Sequence, residues 1–93
     1  METTNFKPGS LLTFKSVISI RAKLYAALLE DTNDRFCLDL SEVTHCDSAG
    51  LALLIEARKL CQQNNKTLKV IGLSAETQSL AEFCGVKSIL ETA

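Results

Sequence analysis

The sequence predicts a single α/β domain whose sheet is at least partly parallel. The chain has 93 residues, 46% of them hydrophobic, which suits one globular domain. Its apolar residues fall alternately at strand and helix spacing, in the order strand, helix, strand, helix, strand, helix, strand. Such alternation implies βαβ crossovers between parallel strands. We expect a short N-terminal segment over residues 1–9 and the domain over residues 10–93.

The first half of the chain predicts an edge strand, a helix and an interior strand. Alternating apolar residues favour a short strand over residues 11–15. From Val17 onward the apolar positions lie three and four apart, which indicates a helix capped by Ser16 or Ser19. Residues 36–40 alternate again and carry only small or short side chains on their second face. This pattern is typical of an interior strand with a helix packed closely over it.

The second half begins with a long helix over residues 49–63. Asp47 and Ser48 are both good N-cap residues for it. Asn64 and Asn65 follow it, and asparagine tolerates the left-handed conformation that often ends a helix.

The remaining segments are shorter. Residues 68–73 predict a third strand, and Ser74 is expected to cap a helix that runs to Phe83 and stops at Gly85. Residues 86–90 predict a last strand-like segment.

Composition excludes several functions. Ten basic and eleven acidic residues give a net charge of −1. The sequence has no block of like charge, so we do not expect it to bind nucleic acid or anionic lipid. No apolar run approaches the ~20 residues that span a bilayer, so we expect a cytoplasmic chain. The four cysteines have no CxxC pair and there is one histidine. We therefore expect free thiols, no metal and no cofactor.

The loop over residues 43–48 holds the strongest candidates for a site, because ligands bind at the carboxyl ends of parallel strands. It contains His45, Cys46, Asp47 and Ser48 in succession. Consecutive residues on an extended loop point in diverging directions, whereas a nucleophile and its base must converge. We therefore expect a chain that is not an enzyme.

The helix after this loop has more apolar residues than one buried face needs. Ser48, Leu51, Ile55 and Arg58 form a second stripe, with Gln62 at its end, rotated from the core stripe by a quarter turn or more. One interpretation is an exposed protein-docking surface with a polar rim. The alternative is that Leu51 and Ile55 complete the core under the first helix or the chain terminus, and that Ser48 is only a cap. Phosphorylation of Ser48 would add about −1.5 to −2 charges and repel a partner on this face.

The sequence resembles the signature of STAS domains, the family that includes anti-sigma factor antagonists. The residues that carry the resemblance are Leu38-Asp39-Leu40-Ser41, followed by Cys46-Asp47-Ser48-Ala49-Gly50-Leu51-Ala52-Leu53-Leu54. The order of elements over about residues 10–91 agrees. The run from Gly50 to Leu54 is most similar to MlaB-like STAS subunits, which belong to phospholipid-transport ABC complexes. Residues 14–19 depart from the family, since they lack the Gly and the Leu-Asp that many relatives carry there.

The resemblance implies a mixed sheet with helices mainly on one side, no enzymatic activity and no cofactor. It implies that Asp47 and Gly50 support the loop. We expect an adaptor that binds the ATPase of an ABC-type phospholipid transport (Mla) complex and supports its assembly or activity in maintaining outer-membrane lipid asymmetry. Through this partner the chain would lie at the periphery of the inner membrane. The expected partner-binding residues are Ser48, Leu51, Ile55 and Arg58. The alternative is an anti-sigma factor antagonist, whose partner is an anti-sigma factor kinase and whose switch is phosphorylation of Ser48.

Overall fold

Two parallel strand ladders and a layer of helices make up the fold. A computed structural model describes residues 3–30 and 32–90. In chain order the elements are β1 Thr4–Phe6, β2 Leu11–Leu12, α1 Val17–Glu30, β3 Arg35–Asp39, β4 His45–Cys46, α2 Ser48–Gln63, β5 Thr67–Ile71, α3 Ala75–Phe83 and α4 Lys87–Leu90. The larger sheet has the order β1-β3-β5, and β2 pairs with β4.

The α/β class and the interior strand are confirmed. β3 lies between β1 and β5, with Phe36 opposite Thr4 on one side and Leu68 on the other. Each ladder between the described strands is parallel, so these strands form two parallel sheets and not the mixed sheet that the resemblance implied.

The core lies on one face of the larger sheet. Along β5, Leu68 is buried while its neighbours Thr67 and Lys69 are exposed. Phe36 and Leu38 of β3 point to the same face as Leu68, because side chains alternate along a strand. This face joins α1, α2 and the last two helices in one cluster, whose members are Leu12, Ile20, Leu24, Leu28, Phe36, Leu38, Leu40, Leu51, Leu53, Leu54, Ala57, Cys61, Leu68, Ala81 and Leu90.

The first predicted strand is shorter than expected. β2 ends at Leu12 because a turn follows, in which the N–H groups of Ser16 and Val17 both donate to the carbonyl of Thr13, at 2.9 and 2.8 Å. The Ser16 carbonyl accepts from Ile20 N at 3.1 Å, the first bond of α1. Ser16, and not Ser19, therefore precedes the helix. Upstream, Thr4–Phe6 form β1 and pair with β3 in the larger sheet, so this part of the predicted N-terminal segment belongs to the domain.

The last predicted strand is wrong, because residues 87–90 form the short helix α4. After α3, Gly85 adopts φ +74° and Val86 N donates to Ala81 O at 2.9 Å, a reversal that ends the helix. The chain then returns against α2 and α3, and Leu90 enters the core at 2% exposure. Val86 and Leu90 are four residues apart, a spacing that fits a helix as well as a strand.

Candidate protein-binding site

Asp47 joins the start of α2 to the turn that precedes α1. Its Oδ1 accepts from the N–H groups of Ala49 and Gly50, each at 3.0 Å. Its Oδ2 accepts from Phe14 N at 3.0 Å. The bond from Phe14, with those from Gly50 and Ala49, lowers the pKa of the Asp47 carboxyl below its ordinary value. Of the two predicted caps, Asp47 is the N-cap, and Ser48 is the first residue of the helix.

Gly50 allows α2 to begin directly against β2. A Cβ at this position would lie 2.1 Å from the Leu12 carbonyl oxygen. The same oxygen accepts from Asp47 N at 3.1 Å. The helix start is therefore held by a backbone contact that only glycine permits.

Ser48 presents its side chain to solvent at this fixed position. The residue is exposed, and within residues 3–30 and 32–90 no group hydrogen-bonds its hydroxyl. It belongs to the first turn of a 16-residue helix, where the partial positive charge of the helix end favours an anion. A phosphate on this hydroxyl would be tolerated by the helix, although it would lie beside the Asp47 carboxylate.

The expectation that Leu51 faces solvent is wrong. Leu51 is 3% exposed and belongs to the core, while Ile55 is half-buried and packs against the core. α3 and α4 pack against α2, and Leu90 of α4 belongs to the same core cluster as Leu51. The other interpretation of the stripe, in which such residues complete the core, therefore describes Leu51.

Arg58 lies half-buried on the same side of α2. Its Nε and Nη2 atoms are buried, and the described part of the chain offers them no hydrogen-bond partner. Burial lowers the pKa of this guanidinium below its ordinary value. The structure thus separates the predicted stripe into an exposed Ser48, two half-buried residues and one core residue.

Two exposed apolar residues lie in residues 11–15, where the sequence predicted a strand. Phe14 is 67% exposed in the turn that Asp47 holds. Leu11 is 47% exposed and lies opposite His45 in the β2–β4 pair. The alternation of apolar residues predicted a strand here. It did not predict the turn that leaves the Phe14 side chain exposed.

His45 and Cys46 do not form a catalytic pair. His45 is exposed, and its Nδ1 lies 3.1 Å from the Thr44 hydroxyl. The Cys46 thiol points elsewhere, 3.6 Å from the carbonyl of Asp47. Burial raises the pKa of this thiol, which lowers its reactivity at neutral pH. In the part of the chain that the structure describes, no three His, Cys, Asp or Glu side chains are placed to hold a metal ion.

The fold and this site define a small α/β domain that presents a fixed, exposed serine. The chain belongs to the STAS family, because the family profile described as "Mlab, STAS domain" matches residues 9–91. Among the described residues, none of the helices has both the length and the apolar character that a membrane crossing requires.

Curated relatives are similar over most of the chain. An anti-sigma-B factor antagonist of Staphylococcus epidermidis is 30% identical over 84 residues, which cover 90% of this chain and 77% of the relative. The anti-sigma-B factor antagonist of Staphylococcus aureus strain NCTC 8325 matches with the same identity and coverage.

Solved structures share the fold. A sulfate transporter family protein from Wolinella succinogenes superposes with a TM-score of 0.77 and 20% identity, covering 96% of this chain and 71% of that protein. The anti-sigma factor antagonist SpoIIAA in its unphosphorylated form superposes with a TM-score of 0.74 and 19% identity, covering 92% and 75%.

Proposed function

We propose that this chain is an anti-sigma factor antagonist, a non-enzymatic domain that binds an anti-sigma factor kinase and is released when Ser48 is phosphorylated. The observation that carries the proposal is the exposed Ser48 hydroxyl at the start of α2. The relatives named anti-sigma-B factor antagonist support it, since they match 90% of the chain.

The proposed partner surface consists of Ser48, the exposed Leu11 and Phe14, and the half-buried Ile55 and Arg58 of α2. Leu11 and Phe14 are large exposed apolar residues, and such residues are enriched at the centres of protein interfaces. Asp47 fixes Phe14 relative to Ser48, because its carboxylate bonds both the Phe14 N–H and the first turn of α2. Leu51 is left out, since a core residue is not available to a partner.

Phosphorylation would act on this surface by charge. A phosphate adds about −1.5 to −2 charges at neutral pH, beside the carboxylate of Asp47 and among apolar side chains. Burying that group against a partner would require removal of its hydration shell. The helix itself tolerates the anion, so the modified chain is expected to stay folded.

The test is capture of partners from native lysate and membrane fractions by the intact chain, with identification by mass spectrometry. We expect wild type and Ser48→Ala to retain an anti-sigma factor kinase, and Ser48→Asp to lose it. Phosphate on Ser48 should be detected after incubation with that kinase and ATP. Ser79→Asp, at an exposed serine of α3, is the matched control and should bind as wild type does.

A second candidate is the adaptor of an Mla-type ABC phospholipid transporter, which the "Mlab, STAS domain" profile favours. In that case the same capture would return an ABC ATPase from the membrane fraction, and Ser48 would be a contact residue without phosphate. Recovery of the ATPase and absence of a kinase would refute the antagonist proposal. Both functions place the chain in the cytoplasm.

A further inference from the structure

The outward face of α1 is apolar although it is exposed. Ile18 is 81% exposed and Leu29 is 57% exposed, and Ala22 and Ala26 between them are exposed as well. At about 100° per residue these four positions lie within about 80° of one another around the helix. We refer to Ile18, Ala22, Ala26 and Leu29 as the α1 outer stripe.

The stripe lies opposite the face that α1 buries in the core, which consists of Ile20, Leu24 and Leu28. Charged residues flank the stripe but do not enter it. On one side Arg21 is held by Glu56 of α2, with Nε 3.2 Å from Oε1. On the other side lies exposed Lys23. A helix that is apolar on two faces normally has a neighbour on each.

We propose that the α1 outer stripe is the interface of a homodimer, in which the α1 helices of two copies pack antiparallel about a twofold axis. A twofold interface must be complementary to itself. The stripe has this property, because its side chains run large, small, small, large along the helix. In the antiparallel arrangement Ile18 lies against the partner's Leu29, and Ala22 lies against the partner's Ala26.

Charge along the chain favours the antiparallel direction. Lys15 lies just before the stripe and Glu30 just after it. Arg21 is already paired with Glu56, and Lys23, at the middle of the stripe, belongs to neither end. The ends of the stripe are about 16 Å apart at 1.5 Å per residue. Because this distance exceeds the screening length of about 8 Å at physiological salt, charges at the two ends of one helix interact little with each other. An antiparallel pair sets Lys15 of each copy toward Glu30 of the other, whereas a parallel pair would set Lys15 beside Lys15 and Glu30 beside Glu30.

The dimer is expected to be weak. One pair of 14-residue helices is about 21 Å long, and such a contact buries less than the roughly 1,200 Å² of a typical stable complex. The stripe does not include Ser48, Phe14 or Leu11, so the inference is independent of the proposed function.

Sedimentation equilibrium of the full chain, from low micromolar to millimolar concentration, tests the proposal. We expect a reversible monomer–dimer equilibrium. Ala22→Glu should raise the dissociation constant about tenfold or more, since it buries a charge in the stripe twice per dimer. Ala75→Glu places the same change at an exposed alanine of α3 and should leave the equilibrium unchanged. Thermal melts of each variant check that the fold is intact.

A charge exchange tests the direction of packing. Glu30→Lys should weaken the dimer, and adding Lys15→Glu should restore it. A wild-type chain that stays monomeric throughout the range, or a dimer that Ala22→Glu leaves unchanged, would overturn the proposal. Binding of the monomeric chain to anionic phospholipid vesicles through the same stripe would also overturn it, in favour of a lipid-facing surface.

Discussion

Replacing Gly50 by alanine should force the start of α2 away from β2 and so destabilise the folded chain. The added Cβ would lie 2.1 Å from the Leu12 oxygen, whereas even close C···O contacts are about 3.3 Å. The two backbones must therefore separate by about 1.2 Å, the difference between these distances. The bond from Asp47 N to the same oxygen, now 3.1 Å, would not survive that movement.

These terms give the expected loss of stability. A buried backbone group left without its bond costs about 1–3 kcal/mol, and overpacking costs about 1–3 kcal/mol. Alanine in place of glycine within a helix stabilises the helix by about 1 kcal/mol, which offsets part of this loss. The free energy of unfolding should therefore fall by about 3 kcal/mol, and Tm by about 12–24 °C for a domain of this size.

Urea unfolding followed by circular dichroism measures this loss, and Gly85→Ala is the matched control. Gly85 has φ +74°, but no atom lies within 4 Å of an added Cβ. Only the left-handed backbone is penalised there, by about 1–2 kcal/mol. If Gly50→Ala were no more destabilising than Gly85→Ala, the close approach of α2 to β2 would be refuted.

Three further predictions concern the residues around Ser48. Leu51→Ala should lower the free energy of unfolding by about 2–5 kcal/mol because it leaves a cavity at a core position. A thermal melt like that of wild type would contradict the burial of Leu51. Phe14→Ala should leave Tm within a few degrees while weakening partner capture, because the side chain is exposed; an equal loss of stability would show a core role. The Asp47 carboxyl has a lowered pKa in the folded chain, so its contribution to stability is present above about pH 4, the ordinary pKa of the group, and is lost as pH falls through the folded value. Asp47→Asn should therefore flatten the acid limb of a Tm-against-pH curve, and an unchanged limb would contradict this origin.

Local patterns in the sequence were sufficient for most elements and for their N-caps. The spacing of apolar residues gave α1, α2 and β3, and cap chemistry gave the starts of α2 at Asp47 and of α3 at Ser74. These features depend on neighbours within a turn or two of the same segment. Ser48 follows the N-cap Asp47 directly, so its place at the start of α2 also followed from local sequence.

The burial of Leu51 was decided only by tertiary structure. A helical stripe shows which residues share a face, but it does not show which later segment covers that face. Here the reversal at Gly85 brings α4 back against α2, and Leu90 joins Leu51 in the core. The exposure of Phe14 has a similar origin, since it depends on a bond to Asp47, 33 residues away. Periodicity is a local property, whereas exposure to solvent is set by contacts between segments distant in sequence.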